Sequence, residues 1–491
     1  MSDILDIAIL NGTVIDGTGR DRYRCDIGIK GNKIVKIGKI EEPALVSISA
    51  EGLVVAPGFI DIHSHSDLSV REFPHMENIL RQGVTTQVVG NCGINIGMAE
   101  GSLARFINEI QSEGIGTNLI FLAGQGVIRN RVLGNERRKP TAEEINRMKS
   151  LLESALDEGA KGLSTGLEYE PGIFSSTEEL IELAKVLNRK GGIYATHLRN
   201  EGDYLESAIE EAIEIGRSAE IPVQISHLKI ERRRNWGKSE KIIEMIESAR
   251  ASGIDVSYDV YPYTAYMTRL NIAIMPFSFS PTDLSNPQKY REALEKLKDS
   301  NIDWDLIYIP KYGGSRINGH SILELAGERG LSPEEFTLEL LKRNEPVRVI
   351  SFQMDEEDVK NFIRYKYSFI GSDGSSYKKR NEEDRTHPRS FGTFPRILGR
   401  YVREFKVLSL EEAILKMTSY PAKKLGLLDR GIIKEGAYGD ITIFDAEKII
   451  DRATYEDPFQ YPEGIEYVIL NGHIVIDRGV YKGKRAGTVI R

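Results

Sequence analysis

Six residues of types that bind metal ions follow predicted β-strands in this 491-residue chain. They are His63, His65, Cys92, His197, His227 and Asp373. His63 and His65 are two positions apart, and because side chains alternate along a strand, both imidazoles face the same side. Imidazole, thiolate and carboxylate together suit Zn²⁺ better than other divalent ions. The residues therefore predict a zinc site if the strands before them converge.

Eight short apolar segments supply the strands that must position these residues. They lie at 58–63, 85–89, 118–122, 162–166, 192–196, 223–226, 254–258 and 368–372, with helical stretches between them. This alternation predicts βα units and a parallel sheet, and eight strands close a (β/α)₈ barrel. Side chains at the carboxyl ends of barrel strands surround one cavity. We therefore predict an α/β fold, a TIM barrel whose cavity holds the six ligands.

Both ends of the chain are predicted to lie outside the barrel at 57–425. Residues 1–56 and 426–491 contain short alternating strands around Asn-Gly pairs at 11–12 and 471–472, which we interpret as hairpin turns. We expect the termini to form one small antiparallel β-sandwich domain. The gap between the seventh and eighth strands is too long for one helix, so residues 265–345 are predicted to be an insertion or lid over the active face.

Composition and charge exclude several classes of partner. The formal net charge of −8 gives no basic field for nucleic acid or anionic lipid. Two cysteines exclude a disulfide framework. The first residues are acidic where a signal peptide is basic, and no apolar run is long enough to span a membrane. We expect a cytoplasmic protein that binds a small molecule, with neither nucleic acid nor membrane as partner; the oligomeric state stays open.

The chain resembles the amidohydrolase superfamily and, within it, the D-aminoacylases, which are N-acyl-D-amino-acid deacylases. The likeness spans nearly the whole chain and is carried by segments at 56–67, 90–93, 162–169, 196–201 and 387–394. The specific sign is the cysteine after the second strand. Hydantoinases and dihydroorotases usually place a carboxylated lysine after the fourth strand, whereas Lys161 precedes that strand here.

The resemblance implies a barrel of the metal-dependent hydrolase type that cleaves N-acyl-D-amino acids to a carboxylate and a free D-amino acid. Cys92, His197 and His227 would hold one tightly bound Zn²⁺. Three protein ligands leave a fourth position open for water, which is the arrangement of catalytic zinc sites.

A second, weaker metal position is also implied, framed by His63, His65 and Asp373. Asp373 would in addition be the catalytic residue. It would accept a proton from the attacking water as general base and then return it to the leaving nitrogen as general acid.

Three further residues are implied to bind the substrate. Lys229, Arg389 and Tyr169 would contact its α-carboxylate, because arginine can form two parallel hydrogen bonds with a carboxylate. Glu168 stays open between a metal ligand and a residue that supports one. His387 is expected to shape the loop that carries Arg389.

Two other functions stay open from the sequence. One is a related amidohydrolase that acts on cyclic amides or dipeptides, of the dihydroorotase, hydantoinase or isoaspartyl dipeptidase type. The other is a non-catalytic scaffold, which the complete ligand set disfavours, since a buried polar cluster is costly to keep without a use. The acyl group and the D side chain are not specified.

Overall fold

Eight parallel strand positions form the centre of the protein. The computed structural model describes residues 4–274, 279–310, 320–343, 346–378 and 386–491. In chain order, barrel strands 1 to 8 are Phe59–Asp61, Val84–Val89, Asn118–Phe121 continued by Ala123–Gly124, Gly162–Gly166, Ile193–His197, Val223–Ile225, Val256–Val260 and Ser368–Ile370. Neighbouring strands pair in parallel, and a bridge between Ser64 and Gly374 closes the ring. The predicted (β/α)₈ barrel is confirmed.

Helices follow the barrel strands and cover the outside of the barrel. After strands 1 to 6 they are Glu77–Leu80, Ile96–Ala99, Leu103–Glu113, Gln125–Leu133, Ala142–Asp157, Thr177–Lys190, Leu205–Ala219 and Ser239–Ala251. The remaining barrel helices are Glu356–Arg364, Arg389–Arg396, the π-helix Ile397–Glu404, Leu410–Met417 and Ser419–Lys424. Short 3₁₀ helices lie at Ser66–Leu68, Gly172–Phe174, Arg233–Asn235 and Trp304–Leu306. Across the described ranges, no helix combines the length and the apolar composition needed to cross a membrane.

Both ends of the chain meet in one nine-stranded sheet beside the barrel. Its strands are Leu5–Val14, Tyr23–Lys30, Lys33–Ile37, Ala44–Ser49, Val54–Pro57, Ile441–Phe444, Ile465–Leu470, His473–Asp477 and Val480–Tyr481. Val54–Pro57 pairs with Ile441–Phe444, which joins the two ends. The sheet is mixed, because Leu5–Val14 pairs in parallel with both Ala44–Ser49 and Val54–Pro57. The expectation of a wholly antiparallel domain is therefore wrong in this respect.

The two Asn-Gly pairs have different structures. Asn471 and Gly472 have φ of 49° and 77° and connect two antiparallel strands, as a type I′ hairpin turn requires. Asn11 also has a positive φ, of 60°, but it lies with Gly12 inside the continuous strand Leu5–Val14, at a shift in register. The predicted hairpin at 11–12 is wrong, because the left-handed residue forms a bulge in one long strand.

The insertion between strands 7 and 8 has its own sheet and apolar core. Tyr266–Arg269, Ile307–Tyr308 and Arg348–Ser351 form a three-stranded antiparallel sheet. Its described helices are Leu270–Ala273, Pro281–Leu284, Pro287–Asp299, Ile322–Gly327 and Pro333–Lys342. Their apolar side chains pack into a cluster separate from the barrel core. Since the last strand of this sheet ends at Ser351, the unit extends beyond the predicted bound at residue 345.

The end of strand 4 touches the loop that carries Cys92 so closely that only glycine fits. A Cβ on Gly166 would lie 2.3 Å from the backbone oxygen of Cys92. We expect Gly166→Ala to lower the free energy of unfolding by about 1–3 kcal/mol through overpacking and to lower zinc content by moving Cys92. Thermal unfolding and metal analysis measure both effects.

Gly327→Ala is the matched control, because a Cβ there meets no atom within 4 Å. It should be neutral or slightly stabilising, since alanine is favoured over glycine in a helix. Equal unfolding temperatures for the two variants would show that the contact between strand 4 and the Cys92 loop has no role.

Candidate active site

Cys92, His197 and His227 form a compact group of metal-binding atoms at the carboxyl ends of strands 2, 5 and 6. The Sγ of Cys92 lies 3.9 Å from Nδ1 of His197 and 3.6 Å from Nε2 of His227. The two ring nitrogens are 2.9 Å apart. Atoms that share one zinc ion at bond lengths of about 2.0–2.3 Å must lie about this close together. The three residues therefore fit a zinc site.

His63, His65 and Asp373 form a second group beside the first. Oδ1 of Asp373 lies 3.0 Å from Nε2 of His65 and 3.6 Å from Nε2 of His63. Nε2 of His63 is also 3.5 Å from Sγ of Cys92, so the two groups are continuous. The structure thus brings all six predicted ligands together, and the second group also has the donor types and spacing of a metal site.

The environment of Cys92 favours its thiolate form. Burial acts to raise the pKa of the thiol, but the His63 ring and hydrogen bonds from His197 and His227 outweigh burial and hold the pKa well below its usual range. A thiolate is the form of cysteine that binds metal ions. The electrostatics and the donor geometry therefore agree.

Three of the six residues have a left-handed backbone. The φ angles are 53° at Cys92, 34° at His227 and 48° at Asp373. Non-glycine residues in this region carry backbone strain and cluster at functional sites. The strain is held by hydrogen bonds, such as the 2.8 Å bond from the backbone N–H of Asp373 to the carbonyl of His63.

Glu201 supports the zinc group from behind. Its Oε1 lies 3.0 Å from Nδ1 of His227, which turns the opposite ring nitrogen toward Cys92. Its Oε2 accepts a 2.6 Å hydrogen bond from Nζ of Lys229. Carboxylates that hold metal-binding histidines in this way fix ring orientation. Sequence reasoning missed Glu201. The available signal was its position four residues after the predicted ligand His197.

Asp259 is a second supporting carboxylate that sequence reasoning missed. Its Oδ1 lies 3.3 Å from Nδ1 of His63 and accepts a 2.8 Å hydrogen bond from the backbone N–H of His227. One buried carboxylate thus contacts a residue of each metal group. An acidic residue within the buried seventh strand was the available signal.

Glu168 and Tyr169 contact opposite edges of the His197 ring. Oε2 of Glu168 lies 3.3 Å from Nε2, whereas the hydroxyl of Tyr169 lies 3.1 Å from Nδ1, the atom that faces Cys92. Glu168 is therefore placed to orient His197 and lies away from the metal-binding edge. Tyr169 lies where a ligand of the site would be.

Arg389 and Asp373 form a buried ion pair. NH1 of Arg389 lies 2.7 Å from Oδ2 of Asp373. Burial acts to raise the pKa of Asp373, but the charge of Arg389 and the nearby His227 and His65 hold it well below its usual range. Within the described ranges, NH1 makes no well-aligned hydrogen bond besides this ion pair. Both residues line the cavity described next.

A cavity of about 650 Å³ opens above the metal-binding residues. The predicted substrate-binding residues Tyr169, Lys229 and Arg389 all line it. Tyr261 lines it too and was missed; its buried hydroxyl has no hydrogen-bond partner among the described residues. Four polar groups of the kind that bind a carboxylate thus face one space.

His387 lies beside this cavity as part of the scaffold. Its Nε2 lies 2.9 Å from the carbonyl of Ala265, and its Nδ1 accepts a 3.1 Å hydrogen bond from the backbone N–H of Arg389. Burial and the charge of Arg389 hold its pKa well below its usual value. A neutral His387 thus links the loop of Arg389 to the insertion, as expected.

Comparison with known proteins agrees with this site. A model described as the amidohydrolase family matches residues 47–310 and 384–476. The chain belongs to the amidohydrolase family. A second model, the N-terminal domain of the urease alpha-subunit, matches residues 1–60 of this amidohydrolase.

Relatives place the amidohydrolase among the D-aminoacylases, which confirms the resemblance. N-acyl-D-glutamate deacylase from Alcaligenes xylosoxydans xylosoxydans is 35% identical over 100% of this chain and 97% of the relative. D-aminoacylase from the same organism is also 35% identical, over 100% and 98%. The crystal structure of N-acyl-D-glutamate deacylase from Bordetella bronchiseptica, complexed with zinc and a phosphonate inhibitor, has a TM-score of 0.85 at 33% identity and covers 100% of both chains.

The support that Glu201 gives His227 is testable in this amidohydrolase. We expect Glu201→Gln to weaken zinc binding about 10- to 100-fold, because the amide holds the ring less firmly than the carboxylate. Competition with a chelator measures the affinity. Glu206→Gln is the control, since Glu206 pairs with Lys241 at the surface. Equal affinities in both variants would contradict the positioning role.

Proposed function

We propose that this amidohydrolase is a zinc-dependent N-acyl-D-amino-acid deacylase that hydrolyses the amide to a carboxylate and a free D-amino acid. The observation that carries the proposal is the Cys92–His197–His227 group beside Asp373 in a cavity that Lys229 and Arg389 also line. The relatives, named deacylases of N-acyl-D-amino acids, support the substrate class and its handedness. The partner is thus a small molecule, and a cytoplasmic location stays a prediction.

The donor atoms support two metal positions. Cys92, His197 and His227 would hold the zinc, which would supply a Lewis acid to polarise the amide carbonyl and activate water. His63, His65 and Asp373 are assigned to a second, weaker position. The hydroxyl of Tyr169, beside the metal-binding edge of His197, is placed to donate to the amide oxygen as negative charge develops there.

Asp373 moves the proton. The charge of Arg389 keeps its carboxylate ionised at neutral pH, so it can accept a proton from the attacking water. The protonated group is then a strong acid, since its pKa is low, and it returns the proton to the leaving nitrogen. An amine must be protonated to leave, so the same residue serves both steps.

The polar groups above the metal site bind the other end of the substrate. Arg389, Lys229 and the free hydroxyl of Tyr261 are assigned to the α-carboxylate. Lys229 is paired with Glu201, but an ammonium has three N–H donors, so it can bind a second carboxylate. Anchoring the carboxylate and the amide fixes the direction of the side chain, which allows selection by handedness.

The position of Lys161 disfavours the alternative of cyclic-amide hydrolysis. Strand 4 begins at Gly162, so Lys161 lies at its amino end, away from the metal-binding residues at the carboxyl ends. A carboxylated lysine at this position would not reach both metal groups. Hydantoin and dihydroorotate belong in the substrate panel as negative controls.

Asp373→Asn tests the catalytic assignment. We expect kcat for N-acetyl-D-amino acids to fall about 100- to 10,000-fold, the usual contribution of a positioned acid–base group. Zinc bound by Cys92, His197 and His227 should remain. Acetate release from paired N-acetyl-D- and N-acetyl-L-amino acids, with metal analysis of each sample, measures both quantities.

Asp305→Asn is the matched control. Asp305 lies in the insertion, its side chain is half exposed, and it pairs with Arg233. It should keep wild-type activity. No hydrolysis of any N-acetyl-D-amino acid by the zinc-loaded wild type would reject the proposed function, and absence of bound metal would favour a scaffold.

Cobalt substitution tests the role of Cys92. We expect the Co²⁺ form of the wild type to show a thiolate-to-cobalt charge-transfer band that Cys92→Ser lacks. Cys25→Ser should keep the band, because Cys25 is the only other cysteine and lies in the terminal sheet. A band that survives in Cys92→Ser would exclude Cys92 as a ligand.

Removing the metal with a chelator should abolish activity, and added zinc should restore it.

A further inference from the structure

The charged groups that line the cavity are not evenly balanced. Lys229 is neutralised by Glu201 at 2.6 Å, and Arg389 by Asp373 at 2.7 Å. Two carboxylates that face the same cavity, Glu168 and Glu231, form no ion pair with any lysine or arginine in the described part of the chain. Past the residues assigned to the α-carboxylate, the cavity therefore holds two acidic side chains that lack a basic partner among the described residues.

Glu231 lies next to the place where the substrate binds. It follows Lys229 by two residues, and its backbone N–H donates a 2.8 Å hydrogen bond to the carbonyl of Glu201. Its Oε2 has one side-chain partner in the described structure, the hydroxyl of Tyr266 at a long 3.4 Å. The ring of the same tyrosine lies 6.0 Å from Nζ of Lys229. Tyr266 thus lies between Glu231 and Lys229, one of the residues assigned to the α-carboxylate.

The environment of Glu231 disfavours its charged form unless a cation lies beside it. Burial and the nearby carboxylates of Glu201 and Glu168 raise the pKa of Glu231 to about 8. A half-buried carboxylate in this state gains most from a ligand that brings a positive charge or a hydrogen-bond donor.

We propose that Glu231 is a specificity-determining residue that makes the enzyme prefer N-acyl-D-amino acids with a cationic side chain, of the D-lysine and D-arginine class, over those with an acidic side chain. This inference rests on the proposed function. A side chain that leaves the anchored Cα toward Tyr266 meets the Glu231 carboxylate, where an ammonium or guanidinium forms an ion pair. An acidic side chain there forms no ion pair with Glu231 and adds negative charge near Glu201 and Glu168.

The arginines of the cavity do not reverse this preference. Arg137 is paired with Glu170 at 3.2 Å, and Arg232 with Asp203 at 3.0 Å. Arg269 is exposed at the mouth, in the last position of its strand. Of the described arginines that line the cavity, an acidic side chain would reach this solvated charge, which is worth little.

The experiment compares kcat/KM for the N-acetyl derivatives of D-lysine, D-arginine, D-methionine and D-glutamate. We expect the wild type to favour D-lysine over D-glutamate at least about tenfold, since only the cationic side chain forms an ion pair with Glu231. Glu231→Gln should lower the D-lysine to D-methionine ratio about tenfold, mainly through KM. The ratio of kcat/KM for two substrates of the same variant does not depend on how much of that variant is folded and metal-loaded.

Glu170→Gln is the control, because Glu170 is at the rim and already paired with Arg137. It should leave the ratios unchanged. Two results overturn the inference alone: a wild type that hydrolyses D-methionine but favours D-glutamate over D-lysine, or an unchanged D-lysine to D-methionine ratio in Glu231→Gln. Should that variant fail to fold, the wild-type ratio decides by itself. No hydrolysis of any D-substrate overturns the proposed function as well.

Discussion

Closure of the barrel between its first and last strands is the constraint on which the active site depends. Some 310 residues of chain separate His63 from Asp373, yet the N–H of Asp373 donates a 2.8 Å hydrogen bond to the carbonyl of His63. Buried Asp61 strengthens the junction by accepting a 2.9 Å bond from the N–H of Ser372. Without this closure, the second metal group has no carboxylate and the zinc group has no proton acceptor. The barrel must therefore be complete before any chemistry is possible.

The sequence predicted that these six residues lie together because strand ends are a strong local signal. Each of the six residues follows a short apolar segment, and parallel βα units leave one geometry in which those ends meet. The alternation of side chains along a strand was enough to predict that His63 and His65 face the same side. Pairing within the barrel did not have to be known, since any closed order of parallel strands places their carboxyl ends at the same rim.

The parts that sequence reasoning missed depend on contacts between distant segments. Glu201 and Asp259 look like ordinary acidic residues until the fold places them 3.0 Å from His227 and 3.3 Å from His63. The Asn-Gly pairs show the same limit. Both have the local preference for a left-handed turn, but a Cβ on Gly12 would lie 2.5 Å from Val55. Gly12 lies in a continuous, bulged strand that packs closely against the parallel strand Val54–Pro57. A contact between segments so far apart cannot be seen in the local sequence pattern.

Charge balance links metal binding to the acid–base state of the whole site. In the absence of a metal ion, the thiolate of Cys92 and the carboxylate of Asp373 favour protons on the histidines, and the pKa of His65 is raised to about 9 despite burial. A metal ion must displace those protons, because only neutral imidazole is a ligand. Metal affinity therefore rises with pH through the neutral range. The negative charges that attract the cation thus also hold the competing protons on the histidine rings.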